Sequence, residues 1–108
     1  MEKLSVIVPC FNEQETLQDY YDAISKVRET LLGKECELQV ILVDDGSKDK
    51  TLAKMKELSG QCSWIRYISF TRNFGKEAAI YAGLTHAEGE YVSLMDVDLQ
   101  DPPELIPE

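Results

Sequence analysis

The chain has 108 residues, 44% of them hydrophobic and 29% charged, with a formal net charge of −9. That length excludes more than one domain and lets a single core bury about two-thirds of the unfolded surface. The acidic balance excludes a general nucleic-acid groove, whose basic footprint is missing, and any phosphate ligand would need a metal or a few local cations to draw it in.

The first apolar run, Leu4 to Val8, predicts a strand that ends in Pro9-Cys10-Phe11-Asn12-Glu13. Asn12 with Glu15 then has the form of a capping pair at a helix start. Leu17, Tyr20, Tyr21, Ile24, Val27 and Leu31 follow helical spacing, with both tyrosines on the helix face or in the core and Gly33 as the stop. Leu38 to Val43 predicts the second strand. Both strands are β-branched and nearly continuous, as expected where a parallel strand is covered on two faces. Asp44 stands at the tip of the second strand, and Asp45-Gly46-Ser47 follows as a turn and helix entry. A shorter helix carried by Leu52, Met55 and Leu58 runs from near Asp49 to before Gly60. Ile65 to Phe70 alternates more and suits an edge strand. It ends in Thr71-Arg72-Asn73-Phe74-Gly75-Lys76. Ala78, Ala79, Ala82 and Gly83 give a third helix a small-residue face for close approach to the sheet, with His86 late in that helix. Tyr91 to Met95 is the fourth strand, read as buried. Asp101-Pro102-Pro103-Glu104 has the form of one more helix start.

The pattern β-α-β-α-β-α-β implies an α/β domain: a Rossmann-like parallel sheet with right-handed crossovers and helices on both faces. In such sheets ligands bind beyond the carboxyl ends of the strands. The polar segments of this chain sit at those four ends. Asp96-Val97-Asp98 is the most telling of them. Two carboxylates one residue apart after an apolar strand repel each other and resist desolvation. A hard divalent cation, Mg²⁺ or Mn²⁺, resolves that conflict, and diphosphate oxygens complete its shell. Lys76, near a helix start, could add a cation and backbone donors toward phosphate.

Cys10, Cys36 and Cys62 are odd in number and widely spaced, which suggests neither a disulfide framework nor a zinc site. Reduced thiols and a cytoplasmic location are the expectation. No apolar run approaches the ~20 residues of a membrane span, and the start, Met1-Glu2-Lys3-Leu4, lacks a signal-peptide core.

Val8 to Glu13, Val43 to Ser47, Arg72 to Lys76 and Met95 to Glu104 together resemble the inverting family 2 glycosyltransferases, in order and spacing, across nearly the whole chain. The branch they resemble most makes polyprenyl-phosphate sugars, as bactoprenol glucosyltransferases and dolichyl-phosphate mannose synthases do. The resemblance implies the N-terminal half of a nucleotide-diphospho-sugar transferase fold, a UDP- or GDP-hexose donor and a divalent metal. It implies that Pro9, Phe11 and Glu13 line the nucleotide pocket and that Asp44 reads the base with Leu42 beside it; Asn12 can combine a pocket role with its capping one. Lys76, Asp96 and Val97 join the donor site, and Asp98 is the main metal ligand, with Asp96 and Gln100 able to join it. Val97 stands where Ala is commoner in this family.

The expected activity is transfer of a hexose to an acceptor, polyprenyl phosphate in the full enzyme, with inversion. The alternative is a non-catalytic nucleotide-binding or interaction module on the same fold. A phosphoacceptor signalling domain fits worse, because its acid pair follows the first strand and a lysine follows the last. Residues 1–108 are expected to be the donor-binding part, with the acceptor part absent and no catalytic base among them, since the chain ends ten residues after Asp98. Later segments would bring the full-length protein to the cytoplasmic face of a membrane. Apolar surface left uncovered would favour self-association.

Overall fold

The computed structural model describes residues 2–89 and 91–95, so Asp96, Val97, Asp98 and Gln100, and the helix start at Asp101, lie outside the described residues. Seven elements follow in chain order: β1 (Glu2–Cys10), α1 (Leu17–Gly33), β2 (Cys36–Asp44), α2 (Thr51–Gln61), β3 (Ile65–Ser69), α3 (Lys76–His86) and β4 (Tyr91–Leu94). The four strands form one parallel sheet in the order β3-β2-β1-β4. The strand order reverses direction between β1 and β4, so the carboxyl ends of these two strands flank the switch point.

Alternation along the strands sends successive side chains to opposite faces, and each face has its own helices. Val6, Val8, Val40 and Leu42 pack with Leu17, Tyr20, Ile24 and Val27 of α1 and with Met55 and Leu58 of α2. Ile7, Ile41 and Val43 pack on the other face, against Ala79 of α3. Each of these fully buried aliphatic side chains contributes roughly 1.5–3 kcal/mol through apolar area removed from water. The two-sided burial explains why the first two strands read as unbroken apolar runs.

The small-residue face of α3 is used as its composition suggests. A Cβ on Gly83 would stand 2.5 Å from Cγ2 of Ile7, so only glycine lets the helix lie this close to β1. β3 is an edge of the sheet, as its alternation indicates. Both early strands are longer than their apolar runs, because the pairing ladder begins at Glu2 with Cys36 and continues to Cys10 with Asp44.

Three local readings are corrected, and one boundary, Gly33, stands. Asn12 does not cap α1: its backbone is left-handed, with φ 52°, and the helix begins four residues later than the capping pair requires. Gly33 ends α1 as its last helical residue, and the left-handed residue that follows is Glu35 at φ 59°. Gly60 does not stop α2, which runs through it to Gln61. β4 is not a buried strand: Tyr91, Val92 and Leu94 are about half exposed, because β4 is the other edge among the described residues. Among the described residues no helix is long and apolar enough to cross a membrane.

Candidate functional site

At the carboxyl ends of the strands the loops after β1, β2 and β3 are tied together by backbone-directed hydrogen bonds. The Asn12 N–H donates to Ser47 Oγ at 2.8 Å, and Asn12 Oδ1 accepts from the Lys48 N–H at 2.9 Å. This reciprocal pair is what holds Asn12 in its left-handed conformation, a shape that Asn tolerates better than most residues. One residue on, the Glu13 N–H donates to Oγ1 of the fully buried Thr51 at 2.8 Å. Thr51 donates in turn to Asp49 Oδ1 from both its N–H and its hydroxyl. The Lys50 N–H reaches Gln14 Oε1 at 2.8 Å. The β1–α1 loop is thus bound side by side to the entry of α2.

The two adjacent acids after β2 divide between the faces of the sheet, as strand alternation requires. Asp44 is 1% exposed and accepts the Ser47 N–H on Oδ1 at 2.9 Å. Its side lines an open cleft of about 430 Å³ together with Phe11, Lys48, Phe70, Arg72 and Asn73. Asp45 turns the other way. Its buried carboxylate accepts the Phe74 N–H at 2.8 Å and the Gly75 N–H at 3.1 Å, just ahead of α3. The backbone donors before α3 that phosphate could have used are therefore already engaged by Asp45. Gly46, at φ 75°, makes the clasp possible: a Cβ there would lie 2.3 Å from the carbonyl carbon of Arg72.

The tips carry a negative field. Cys10, buried beside Glu13 and Asp44, has its thiol pushed far above the ordinary range, first by burial and then by those two carboxylates. It is an inert, protonated core residue. Burial and Cys10 likewise push the Tyr20 phenol upward. Asp49 is held below the ordinary aspartate value: burial raises it, and the hydrogen bonds from Thr51 and Gln14 outweigh burial. Two cations, Lys48 and Arg72, border the cleft, and the Arg72 guanidinium lies 4.6 Å from the Phe74 ring centroid.

The fold brings together only some of the residues picked out in sequence. Phe11 and Asp44 share the cleft. Asn12 and Glu13 line an adjacent depression of about 390 Å³ with Gln14 and Asp49. Leu42 is 2% exposed and packs in the core with α1 and α2, behind Asp44 rather than on the cleft wall. Pro9 is half-buried within β1, and Lys76 is the first, exposed residue of α3. His86 ends α3, with Nδ1 2.9 Å from the Ala82 carbonyl oxygen. Among the described residues no group of three His, Cys, Asp or Glu side chains could hold a metal ion. Asp45, Thr51 and Ser47 were missed as parts of this site. The signal for Asp45 was available: two consecutive acids at a strand end cannot both face one cleft.

Residues 5–108 match the family described as "Glycosyl transferase family 2". The chain belongs to this family. It is 44% identical over 105 residues to the bactoprenol glucosyl transferase of Shigella phage SfV, a match covering 97% of this chain and 33% of that protein. It is 43% identical over 105 residues to the prophage bactoprenol glucosyl transferase homolog of Escherichia coli K12, again covering 97% of this chain and 33% of that protein. The chain spans about a third of the length of these relatives. Among solved structures, the mannosyltransferase PcManGT from Pyrobaculum calidifontis, in complex with GDP-Man and Mn²⁺, superposes with a TM-score of 0.74 at 27% identity. That match covers 90% of this chain and 28% of PcManGT. TarS of S. aureus in complex with UDP superposes with a TM-score of 0.72 at 25% identity, covering 89% of this chain and 27% of TarS. The parallel sheet of this family 2 chain is thus that of the nucleotide-sugar transferases.

Proposed function

We propose that residues 1–108 form the donor-binding part of a glycosyltransferase, and that the protein transfers a hexose from a nucleotide sugar to polyprenyl phosphate with inversion. The observation that carries this reading is the cleft at the carboxyl ends of β1, β2 and β3, where Phe11 and Asp44 meet, in a chain that matches its family over residues 5–108. The lipid acceptor is supported by the identity to bactoprenol glucosyl transferases. The nucleotide donor is supported by the GDP-Man and UDP complexes of the superposed structures.

In this reading Asp44 accepts an N–H from the edge of the base with its second oxygen, the first being held by Ser47. Phe11 offers an aromatic face to the base, and Leu42 backs Asp44 from the core. Pro9, Asn12 and Glu13 shape the rim, and the loop holding Asn12 is fixed by Ser47 and Lys48. Lys48 and Arg72 supply local positive charge in an acidic chain, and Lys76 adds another cation toward the donor.

The donor set proposed for a divalent metal is Asp98 with Asp96 and Gln100, next to Val97 after β4. Two carboxylates and an amide oxygen are hard ligands, which suits Mg²⁺ or Mn²⁺ and not a thiolate-seeking metal. When bound, such an ion neutralises diphosphate oxygens and so stabilises the leaving nucleoside diphosphate.

Calorimetric titration with UDP, GDP and their sugars, with and without Mn²⁺, tests the proposal beside Asp98→Ala and Asp44→Ala. Metal-dependent binding of one nucleotide, lost in both variants, is the expected result. A folded wild-type chain that binds none of them overturns the donor-site assignment.

A further inference from the structure

We propose that Asp45, which the cleft does not include, is a positioning residue that makes the nucleotide cleft competent to bind. This inference rests on the donor-site reading above. Ser69, Phe70, Thr71, Arg72 and Asn73 line the cleft beside Asp44, with Phe11 of the β1–α1 loop also on its lining. Phe70 to Asn73 belong to a loop between β3, which is only five residues long, and α3. Its near end is fixed by the sheet: the Phe70 N–H donates to the Asp44 carbonyl at 2.9 Å. Its far end has no such ladder. Among the described residues its backbone is held by the Asp45 carboxylate, 5% exposed, bound to the N–H groups of Phe74 and Gly75, and the Phe74 ring meets the Phe70 ring edge-on at 5.5 Å between centroids.

The clasp and the cleft are mechanically joined. Asp44, the last residue of β2, and Asp45, the next, are consecutive and hydrogen-bond to different segments, so one strand end fixes both the base-reading oxygen and the loop beside it. Gly46 closes the arrangement by letting the backbone of Arg72 and Asn73 lie directly on the turn after β2. A carboxylate accepting two backbone N–H groups gives a stronger and better-oriented hold than a neutral acceptor. Without it, Arg72 and Asn73 lose their position relative to Asp44, and nucleotide binding must order the loop at its own expense.

The test uses the full chain, with Asp45→Ala, the near-isosteric Asp45→Asn, and Leu58→Ala as a stability control on the core of α2. Amide hydrogen exchange at Phe74 and Gly75 reads the clasp, thermal unfolding reads global stability, and titration with UDP and GDP in the presence of Mn²⁺ reads the cleft. Expected for Asp45→Ala are fast exchange at both amides and affinity reduced about tenfold, within the usual range for coupling between sites. Asp45→Asn, which keeps one acceptor oxygen, should fall between Asp45→Ala and wild type in both readouts. Leu58→Ala should lower the melting temperature and leave the affinity of the folded protein unchanged. Wild-type affinity in an Asp45 variant whose Phe74 and Gly75 amides exchange freely overturns the positioning role alone. A wild-type chain that binds neither nucleotide overturns this inference together with the donor-site reading.

Discussion

Glu88 shows how a single side chain can work at the end of the sheet far from the cleft. Its carboxylate meets Arg66 Nη1 at 2.7 Å and Lys3 Nζ at 3.5 Å, and Gln39 Nε2 donates to it at 3.3 Å. Arg66 first, and then Lys3, hold its carboxyl below the ordinary glutamate value of 4.5. A depressed folded-state value means that the folded protein binds the proton less readily than the unfolded chain. The stabilisation is therefore present above pH 4.5 and is lost as pH falls through the lower folded value. Urea titrations between neutral pH and pH 3 should show wild-type stability falling more steeply than that of Glu88→Gln; parallel curves would remove Glu88 from the acid response. Thr51 is a second such residue. It is fully buried, accepts from Glu13 and donates to Asp49. Thr51→Val keeps the shape and leaves the Glu13 N–H unpaired, while Asp49 keeps the bond from the residue-51 N–H, so it should cost about 1–3 kcal/mol in chemical denaturation. A loss under a few tenths would show that water replaces the hydroxyl.

Two helical glycines separate propensity from packing at the scale of elements. A Cβ added at Gly60, within α2, would meet no atom within 4 Å, whereas one added at Gly83 of α3 would stand 2.5 Å from Ile7 Cγ2. Alanine in a helix interior is favoured over glycine by about 1 kcal/mol. Gly60→Ala should therefore stabilise the protein by up to about 1 kcal/mol. Gly83→Ala should destabilise it by about 1–3 kcal/mol, because Ile7 is fully buried and has little room to yield. Melting temperatures that move in the same direction for the two variants would contradict this account. The same contrast explains what the periodicity of the elements could reveal. α1 was legible because Leu17, Tyr20, Ile24, Val27 and Leu31 all end up buried on one face. The end of α2 was not, because a glycine that meets nothing does not mark a boundary.

At the scale of the described fold, the unequal edges of the sheet matter most. β3 carries Arg66 and the half-covered Ile68, while β4 exposes Tyr91, Val92 and Leu94. The register places Val92 and Leu94 beside Ser5 and Ile7, on the face that α3 covers over β1 and β2. Tyr81 and Leu84 of α3 are exposed as well. Apolar edges of this kind promote association. Sedimentation velocity should show concentration-dependent self-association of the chain, reduced by Leu94→Lys; a monomer at every concentration would refute it.

Composition and periodicity by themselves determined the alternating order of strands and helices, the parallel sheet and the polar tips, since each depends on residues near one another in the chain. Phe11 and Asp44 were singled out through the family resemblance of their segments, and the fold sets both on the lining of one cleft. Tertiary structure alone decided the rest. It turned Asn12 from a helix cap into a bridge to Lys48, since its partner lies 36 residues away. It gave Asp45 a clasp 29 residues distant and left Asp44 in the cleft. Among the described residues it made β4 an edge, because exposure depends on which strands lie beside it and not on its own apolar sequence.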